Sequence, residues 1–404
     1  MQTTIGFNLL DVPEFNNILA NNSVEPQILK VVGCFTKSNQ KYTIVKYNKY
    51  SLSNDTIHNY GLFRSVIINS INKVVCFSPP KSFSLSSFQQ LYPSMEKLVV
   101  QEFVEGTMMN VFWDSSIGLS GGWEISTRNV VGAETTFYKK PNSKTFQQMF
   151  LEACKELQFD INTLNKELCY SFVLQHPDNR IVVPLNKMNI YLIEAYKIVY
   201  RPGTIMICPQ PIQSIASSLN GISVPQQYSS SSYEELIKQY GSGNTPYHTL
   251  GVVIKNCETG ERCKIRNPIY EEVRYLKGNQ PKLQYQYLCL RKEGKVKDFL
   301  QYYPETKYEL SVFRDQLHLF THTLFQNYIQ CYIRKEKPLI NYPPQFKTHM
   351  FQLHQLYMNE LREKKLYVTN GVVVKYINSM HPSQLMFVLN HHMKKRFVET
   401  ICLE

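Results

Sequence analysis

The 404-residue chain is long enough for two or three domains, and its 43% hydrophobic and 19% charged residues are typical of a folded globular protein, not a disordered one. No run of about 18 apolar residues predicts a membrane span, and the first ten residues do not resemble a signal peptide. The formal charge of +12 favours an anionic partner, most often nucleic acid. The ten cysteines contain no Cys-x-x-Cys pair. We therefore predict no metal site and interpret them as reduced core residues of a cytoplasmic protein.

Short β-branched and aromatic runs, separated by turn residues, predict strands through the first two thirds of the chain. The predicted strands are 41–51, 62–69, 73–78, 97–102, 108–113, 123–127, 169–174, 181–184, 190–198, 251–255 and 262–266. Apolar residues at helical spacing predict a helix over 143–157. The stretch 209–232 is rich in Ser, Gln and Pro, which predicts a flexible surface loop.

The pattern changes near residue 285, where apolar residues begin to recur every three or four positions. This predicts an α+β domain over 1–285, in which 1–55 is an N-terminal decoration, followed by an α-helical C-terminal domain over 286–404. The basic runs 362–365 and 391–396 are candidates for docking a protein partner. Charge runs of this kind more often mark a solvated helix face.

The most informative segment is 101–108, which reads Gln-Glu-Phe-Val-Glu-Gly-Thr-Met. It resembles the Lys-x-Asp-Gly motif of the phage and giant-virus RNA ligases, with phenylalanine in place of the nucleophilic lysine. Seven further segments resemble motifs of that family in the same order: 62–67, 78–83, 123–128, 172–182, 251–255, 264–270 and 299–305. The resemblance implies an adenylyltransferase (ATP-grasp-like nucleotidyltransferase) domain of antiparallel sheets around a nucleotide cleft, with a helical C-terminal domain.

The departures from the family motifs concern the residues that carry the chemistry. The family's lysine amine attacks the α-phosphate of ATP, and Phe103 has no such group. The two motif carboxylates that help to hold metal fall on Val173 and Leu250, whereas Glu105 keeps an acid at the motif aspartate. Three catalytic positions are replaced together, so we predict no catalytic residue, no cofactor and an inactive ligase.

The resemblance still implies a site that binds a nucleotide or RNA. Lys264 and Arg266 alternate on one predicted strand, so both point to the same face. Phe103 either fills the space left by lysine or stacks on a base. The candidate binding residues are Arg64, Lys81, Glu102, Phe103, Glu105, Arg128, Lys255, Lys264 and Arg266.

The sharpest functional hypothesis is recognition of the capped 5′ end of mRNA, in viral translation initiation or message handling in a host cytoplasm. A cap combines a cationic purine, which favours aromatic and acidic groups, with a phosphate chain. The alternatives are general RNA binding without end recognition, a divergent ligase or nucleotidyltransferase active through another residue, and a scaffold that binds a protein through its C-terminal domain.

Overall fold

The computed structural model describes residues 6–20, 28–137 and 143–391. The strands are β1 Phe7–Asn8, β2 Leu29–Phe35, β3 Lys41–Tyr47, β4 Val66–Asn69, β5 Val74–Phe77, β6 Leu98–Glu102, β7 Thr107–Asp114, β8 Gly122–Thr127, β9 Leu168–Gln175, β10 Asn189–Arg201, β11 Thr204–Pro209, β12 Ile222–Ser223, β13 Gln227–Tyr228, β14 Gly251–Asn256 and β15 Arg262–Arg266. The helices are α1 Pro13–Leu19, α2 Ile57–Tyr60, α3 Leu85–Leu91, α4 Phe146–Glu156, α5 Ile212–Ser217, α6 Tyr233–Tyr240, α7 Pro268–Lys277, α8 Leu283–Glu293, α9 Val296–Tyr302, α10 Lys307–Tyr328, α11 Pro344–Leu356, α12 Asn370–Ser379 and α13 Pro382–Leu389.

The largest sheet has the order β1-β11-β10-β9-β7-β8, and β12 pairs with β10 in parallel. Every other strand pair in this sheet is antiparallel. The sequence of β9 explains its central place, because seven of its eight residues are buried and a strand covered on both faces reads as a continuous apolar run. Helix α4 packs against the sheet through Met149, Phe150 and Ala153. Its N-terminus carries a capping box between Thr145 and Gln148.

Two four-stranded antiparallel sheets complete this part of the chain, with the orders β13-β6-β14-β15 and β2-β3-β4-β5. The chain leaves the first of them at the end of β6 and enters the large sheet at β7, through residues 103–106. The segment that resembles the nucleophile motif is therefore the link between two sheets. The predicted α+β class, with antiparallel sheets and a helical C-terminal region, is confirmed.

The chain divides into two compact units, Met1–Arg274 and Tyr275–Glu404. The predicted division after residue 285 lies inside α8, so the structure places it earlier. Within the second unit, α10 buries one face through Leu310, Leu317, Phe320, Leu324 and Tyr328. This agrees with the helical spacing of its apolar residues.

Three sequence predictions need correction. The described residues of the segment 1–55 are built into the fold, because β1 extends the large sheet and Phe15 is fully buried in the core. The segment 209–232 contains α5 and two short strands. Residues 181–184 form no strand, because the N–H groups of Val182 and Val183 bind the Glu105 side chain instead of a neighbouring strand.

No helix among the described residues is long and apolar enough to cross a bilayer. Residues 362–365, one of the two basic runs, lie in an exposed turn after α11. Most of the other run, residues 392–396, lies outside the described part of the chain.

Candidate functional site

A cleft of about 270 Å³ lies between the sheet that contains β6 and the large sheet. The link 103–106 passes along it, and strands of both sheets contribute side chains. Its lining residues are Arg64, Gln101, Glu102, Phe103, Val104, Glu105, Gly106, Met108, Val173, Ile181, Ile193, Glu194, Pro225, Leu250, Val253, Lys255, Arg262, Lys264, Arg266, Tyr270 and Arg274. Seven of the nine predicted binding residues are in this list, and Lys81 and Arg128 are not.

The cationic wall of the cleft follows from strand register. On β15, Arg262, Lys264 and Arg266 alternate, and they lie opposite Lys255, Val253 and Gly251 of β14 respectively. Directly opposed residues in an antiparallel pair share one face of the sheet. All three cationic residues of β15 therefore face the cleft.

Phe103 lies against this wall. Its backbone N–H donates to the Gly251 carbonyl at 3.1 Å, so it extends the pairing of β6 with β14. The Lys264 Nζ atom is 4.1 Å from the centre of the Phe103 ring, and the Arg266 guanidinium carbon is 5.2 Å from it. Gly251 has no side chain between Phe103 and Arg266, and a Cβ there would lie 2.1 Å from the Ile265 carbonyl oxygen. The Phe103 ring is therefore already in contact with two basic side chains, those of Lys264 and Arg266.

Three basic side chains of the cleft have no acidic partner among the described residues. None of Arg64, Arg262 and Lys264 forms an ion pair with a described carboxylate, although Arg262 donates to the Pro80 carbonyl at 2.8 Å. Burial and the neighbouring Arg262 lower the pKa of Arg64 to about 10. Burial, followed by repulsion from Arg262 and Arg64, lowers the pKa of Lys264 to about 6. Burial and crowding of positive charge thus disfavour the protonated form of Lys264, and a bound anion would favour it again.

Lys255 differs from Lys264 because it has a partner. Its ammonium donates to Glu194 Oε1 at 2.6 Å, and only 5% of the Glu194 side chain is exposed. Glu194 reaches the cleft because β10 carries a bulge between Leu192 and Glu194, which adds Ile193 and changes which side chains face inward. The second oxygen of Glu194, Oε2, is buried without a hydrogen-bond partner among the described residues.

Glu105 lines the cleft, but its carboxylate is occupied by the protein itself. Oε1 accepts from the N–H groups of Val182 and Val183, both at 3.1 Å. The Tyr270 hydroxyl is a third partner, and burial and this carboxylate raise the pKa of Tyr270. The acid at the motif aspartate position thus anchors the loop after β9 to the link between the sheets.

Gly106 is the last residue of the link, and its close contacts explain why the motif keeps glycine here. Its φ is +152°, and a Cβ would lie 2.4 Å from the Leu174 carbonyl oxygen and 2.6 Å from a Val173 methyl carbon. We expect Gly106→Ala to destabilise the first unit by about 2 kcal/mol or more. Tryptophan fluorescence during urea unfolding measures this loss of stability, because the chain's two tryptophans lie on β7 and β8 of the first unit.

Gly118→Ala is the matched control for that measurement. Gly118 also has a positive φ, +56°, but a Cβ there meets no atom within 4 Å. Alanine at position 118 therefore has the penalty of a positive φ without a steric clash at its Cβ. Equal losses in the two variants would contradict the close approach at Gly106.

The two apolar replacements identified from the sequence also line the cleft. Val173 and Leu250 are both buried, with 6% and 8% of their surfaces exposed. Together with Phe103 they make this part of the cleft apolar. Among the residues that the structure describes, no three potential metal ligands converge, and the Glu105 and Glu194 carboxylates are already engaged. The side chains do not form a metal cage, so no step is assigned to a bound metal.

The remaining predicted residues lie at the margin. Glu102 ends β6, and its Oε2 accepts from the Gln226 N–H at 3.4 Å. Lys81 is exposed and donates to the Ser82 carbonyl at 3.0 Å. Arg128 donates to the Arg64 carbonyl at 3.3 Å and lies over the Tyr47 ring. Lys81 and Arg128 thus contribute charge near the cleft without lining it.

Sequence reasoning missed Arg262, Glu194 and Tyr270. The alternation that selected Lys264 and Arg266 extends to Arg262, so that signal was present. Glu194 is a lone acid inside an apolar strand, which is unusual for a buried position. The bulge that turns it into the cleft has no sequence signal.

Comparisons with known proteins give one sequence match and several distant structural likenesses. No protein-family model matches the chain. Over 99 residues it is 30% identical to an RNA ligase of Rhodothermus phage RM378, which covers 23% of this chain and 21% of that protein. The chain is thus RNA ligase-like over that stretch, and the match spans about a fifth of the relative's length.

Two solved structures are similar at low TM-score. A putative ATP-dependent DNA ligase from Aquifex aeolicus has a TM-score of 0.38 and 14% identity, covering 86% of this chain and 81% of that one. A variant RNA ligase of Naegleria gruberi, with ATP and Mn, has a TM-score of 0.33 and 12% identity, covering 49% and 58%. Likenesses at this level carry no argument about activity.

Proposed function

We propose that this protein binds a nucleotide or the 5′ end of an RNA through the phosphates, with Arg64, Arg262 and Lys264 as the anion-binding group. One observation carries the proposal: three basic side chains line one cleft without a described carboxylate paired to any of them. Like charges crowded in a partly buried site destabilise each other. A phosphate chain would relieve that repulsion and receive charge-assisted hydrogen bonds.

The base or sugar would lie against the apolar part of the cleft. Ile193 and Val253 come from opposite sheets, and Phe103 borders the same space. The link at Phe103 cannot form a lysyl-nucleotide, because a phenyl ring has no nucleophilic atom. The proposal is therefore binding, without covalent chemistry at position 103.

A capped mRNA end is the second candidate ligand, with a role in viral translation initiation or message handling in a host cytoplasm. It is favoured by Glu102 and by the unpartnered oxygen of Glu194, since a methylated, positively charged base attracts carboxylates. The two cations on the Phe103 ring weigh against stacking of a cationic base on that ring. Both candidate ligands would be bound through their phosphates. A capped end would in addition be recognised through its methylated base.

Equilibrium titration with ATP, GTP, a 7-methylguanosine cap analogue and short RNAs tests both. We expect micromolar or tighter binding of RNA with a 5′-triphosphate, weaker binding of the same RNA with a 5′-hydroxyl, and a dependence on salt of about 0.7 log units per phosphate contacted. Tighter binding of the cap analogue than of GTP would support the capped end. Equal binding of both RNAs would support general RNA binding instead.

Arg64→Met is the diagnostic variant, because it removes one partly buried charge and no side-chain hydrogen bond to a described residue. We expect it to weaken binding of the 5′-triphosphate about ten- to 100-fold, the equivalent of one charge-assisted hydrogen bond. Arg201→Met is the matched control, since Arg201 is exposed at the end of β10 and outside the cleft. Unchanged affinity in Arg64→Met, or no binding of any ligand, would overturn the proposal.

A further inference from the structure

The second compact unit contains a cavity of its own, with a volume of about 690 Å³. Helices α11, α12 and α13 line it, and the last described residue, His391, borders it. None of the described residues that line it is a lysine, an arginine or an acid, whereas aromatic rings and uncharged hydrogen-bonding side chains are frequent. A cavity of this size and composition suits an uncharged ligand group.

The cavity presents a hydrogen-bond acceptor whose protonation the neighbouring side chains determine. The Tyr376 hydroxyl donates its single proton to Gln352 Oε1. His349 Nδ1 lies 2.7 Å from the same hydroxyl oxygen, so it must be the donor of that second hydrogen bond. Burial lowers the pKa of His349, which keeps the ring neutral at neutral pH. Its other nitrogen, Nε2, therefore has a lone pair, and no described residue donates to it.

The cavity also contains an exposed aromatic surface. The Phe387 side chain on α13 is 51% exposed, and the His391 ring lies edge-on to it with ring centroids 6.4 Å apart. A phenyl ring in the wall of a cavity offers a face on which a flat ligand can stack. Aromatic stacking combined with hydrogen bonds to the base edge is how proteins recognise unpaired nucleobases in RNA.

The charge of the second unit indicates what such a base would be attached to. From Tyr275 onwards the sequence has 19 Lys and Arg against 10 Asp and Glu, so this unit carries most of the net charge of +12. Lys347 on α11 and the exposed Lys375 on α12 each directly precede a residue that lines the cavity. An uncharged cavity in a cationic unit suits an uncharged group on a polyanionic backbone.

We propose that this cavity binds an unpaired nucleobase of a single-stranded RNA, which stacks on Phe387 and donates a hydrogen bond to His349 Nε2. Lys347 and Lys375 would contact the phosphates on either side of that base. The site shares no residue with the cleft of the first unit. It therefore requires neither a 5′ phosphate nor the function proposed for that cleft.

The test is a fluorescence anisotropy titration of the full chain with short oligoadenylates and oligouridylates that end in a 5′-hydroxyl group. Phe387→Ala should weaken their binding about five- to 100-fold, the range for loss of one base–aromatic stack. Phe351→Ala is the matched control, because Phe351 is 50% exposed on α11 and does not line the cavity. It should bind as tightly as the wild-type chain.

Two further measurements distinguish a base-binding cavity from general attraction to a cationic surface. The ratio of the wild-type and Phe387→Ala affinities should stay constant as salt rises, because stacking releases no counterions. His349→Phe keeps an aromatic ring and removes Nε2, so it should weaken binding about two- to tenfold. Circular dichroism of each variant checks that the helices are retained.

Unchanged affinity in Phe387→Ala or His349→Phe contradicts the inference, as do equal losses in Phe387→Ala and Phe351→Ala. Absence of binding of any of these oligonucleotides also contradicts it, and is the result expected if the cavity takes a segment of a protein partner. These results leave the binding of a 5′-triphosphate in the cleft intact, because Arg64→Met tests it separately.

Discussion

Replacing Lys264 with methionine is expected to stabilise the unliganded protein by about 2–4 kcal/mol at pH 7, even though it removes a residue of the proposed site. Methionine has a similar length and no ionisable group, so it keeps the contact with Phe103 and removes the cost of burying an amine beside Arg262 and Arg64. Tryptophan fluorescence during urea unfolding measures the difference in the unit that contains the cleft.

The stabilisation should depend on pH in a defined direction. The pKa of Lys264 is about 6 in the folded chain, against an ordinary value of 10.5. Between these two values the unfolded chain binds one more proton at this site, so the wild-type free energy of unfolding rises with pH. The advantage of Lys264→Met should therefore shrink by about 1.4 kcal/mol per pH unit between pH 7 and 9. A difference that stays constant with pH would contradict the low pKa.

Lys255→Met is the matched control, with the opposite expected sign. It removes the partner of Glu194, whose side chain is 5% exposed, and leaves a buried carboxylate without compensation. We expect a loss of about 2–4 kcal/mol, as for other broken buried ion pairs. Replacing the two lysines of the same cleft would thus change the free energy of unfolding in opposite directions, because only Lys255 has an acidic partner.

Glu105→Gln is expected to destabilise the first unit by about 3 kcal/mol, although the side chain keeps its size. The carboxylate accepts from the Val182 and Val183 N–H groups and from the Tyr270 hydroxyl, and it donates nothing. An amide must turn its own N–H group towards one of these donors, and the remaining bonds lose their charge assistance. Urea unfolding with fluorescence detection measures the loss.

The control for Glu105→Gln is the same substitution at Glu102. Glu102 accepts one side-chain hydrogen bond, from the Gln226 N–H at 3.4 Å, and is partly exposed. Its loss should stay within about 0.5–1 kcal/mol. Similar losses at the two positions would show that Glu105 does not anchor the 181–184 loop.

The sequence was sufficient to predict the parts of the fold that depend on local pattern. Runs of β-branched and aromatic residues between turn residues identified most strands, including β14 and β15, and helical spacing identified α4 and α10. The failure at 181–184 is instructive, because its apolar residues suit a strand. What decides the conformation there is a side chain distant in sequence, Glu105, which binds the backbone groups that strand pairing would use.

The composition of the site was predictable to a similar degree. Seven of nine named residues line the cleft, because the motif resemblance fixes their order along the chain and alternation fixes their face. The different roles of Lys255 and Lys264 could not be predicted, since they depend on whether Glu194 is within reach. Partners across two sheets are set by register and bulges, which local sequence does not encode.

The cleft depends on the number of residues in β10, because the bulge at Ile193 decides which side chains of that strand face it. Because one additional residue turns Glu194 away from the apolar core, a single-residue deletion there would return an acid to the core side of the strand and leave Lys255 without its counter-ion. Substitutions at Ile193 can be tolerated where a deletion cannot. Among related proteins that keep this cleft, we therefore expect the number of residues between β9 and Glu194 to vary less than the identities of those residues.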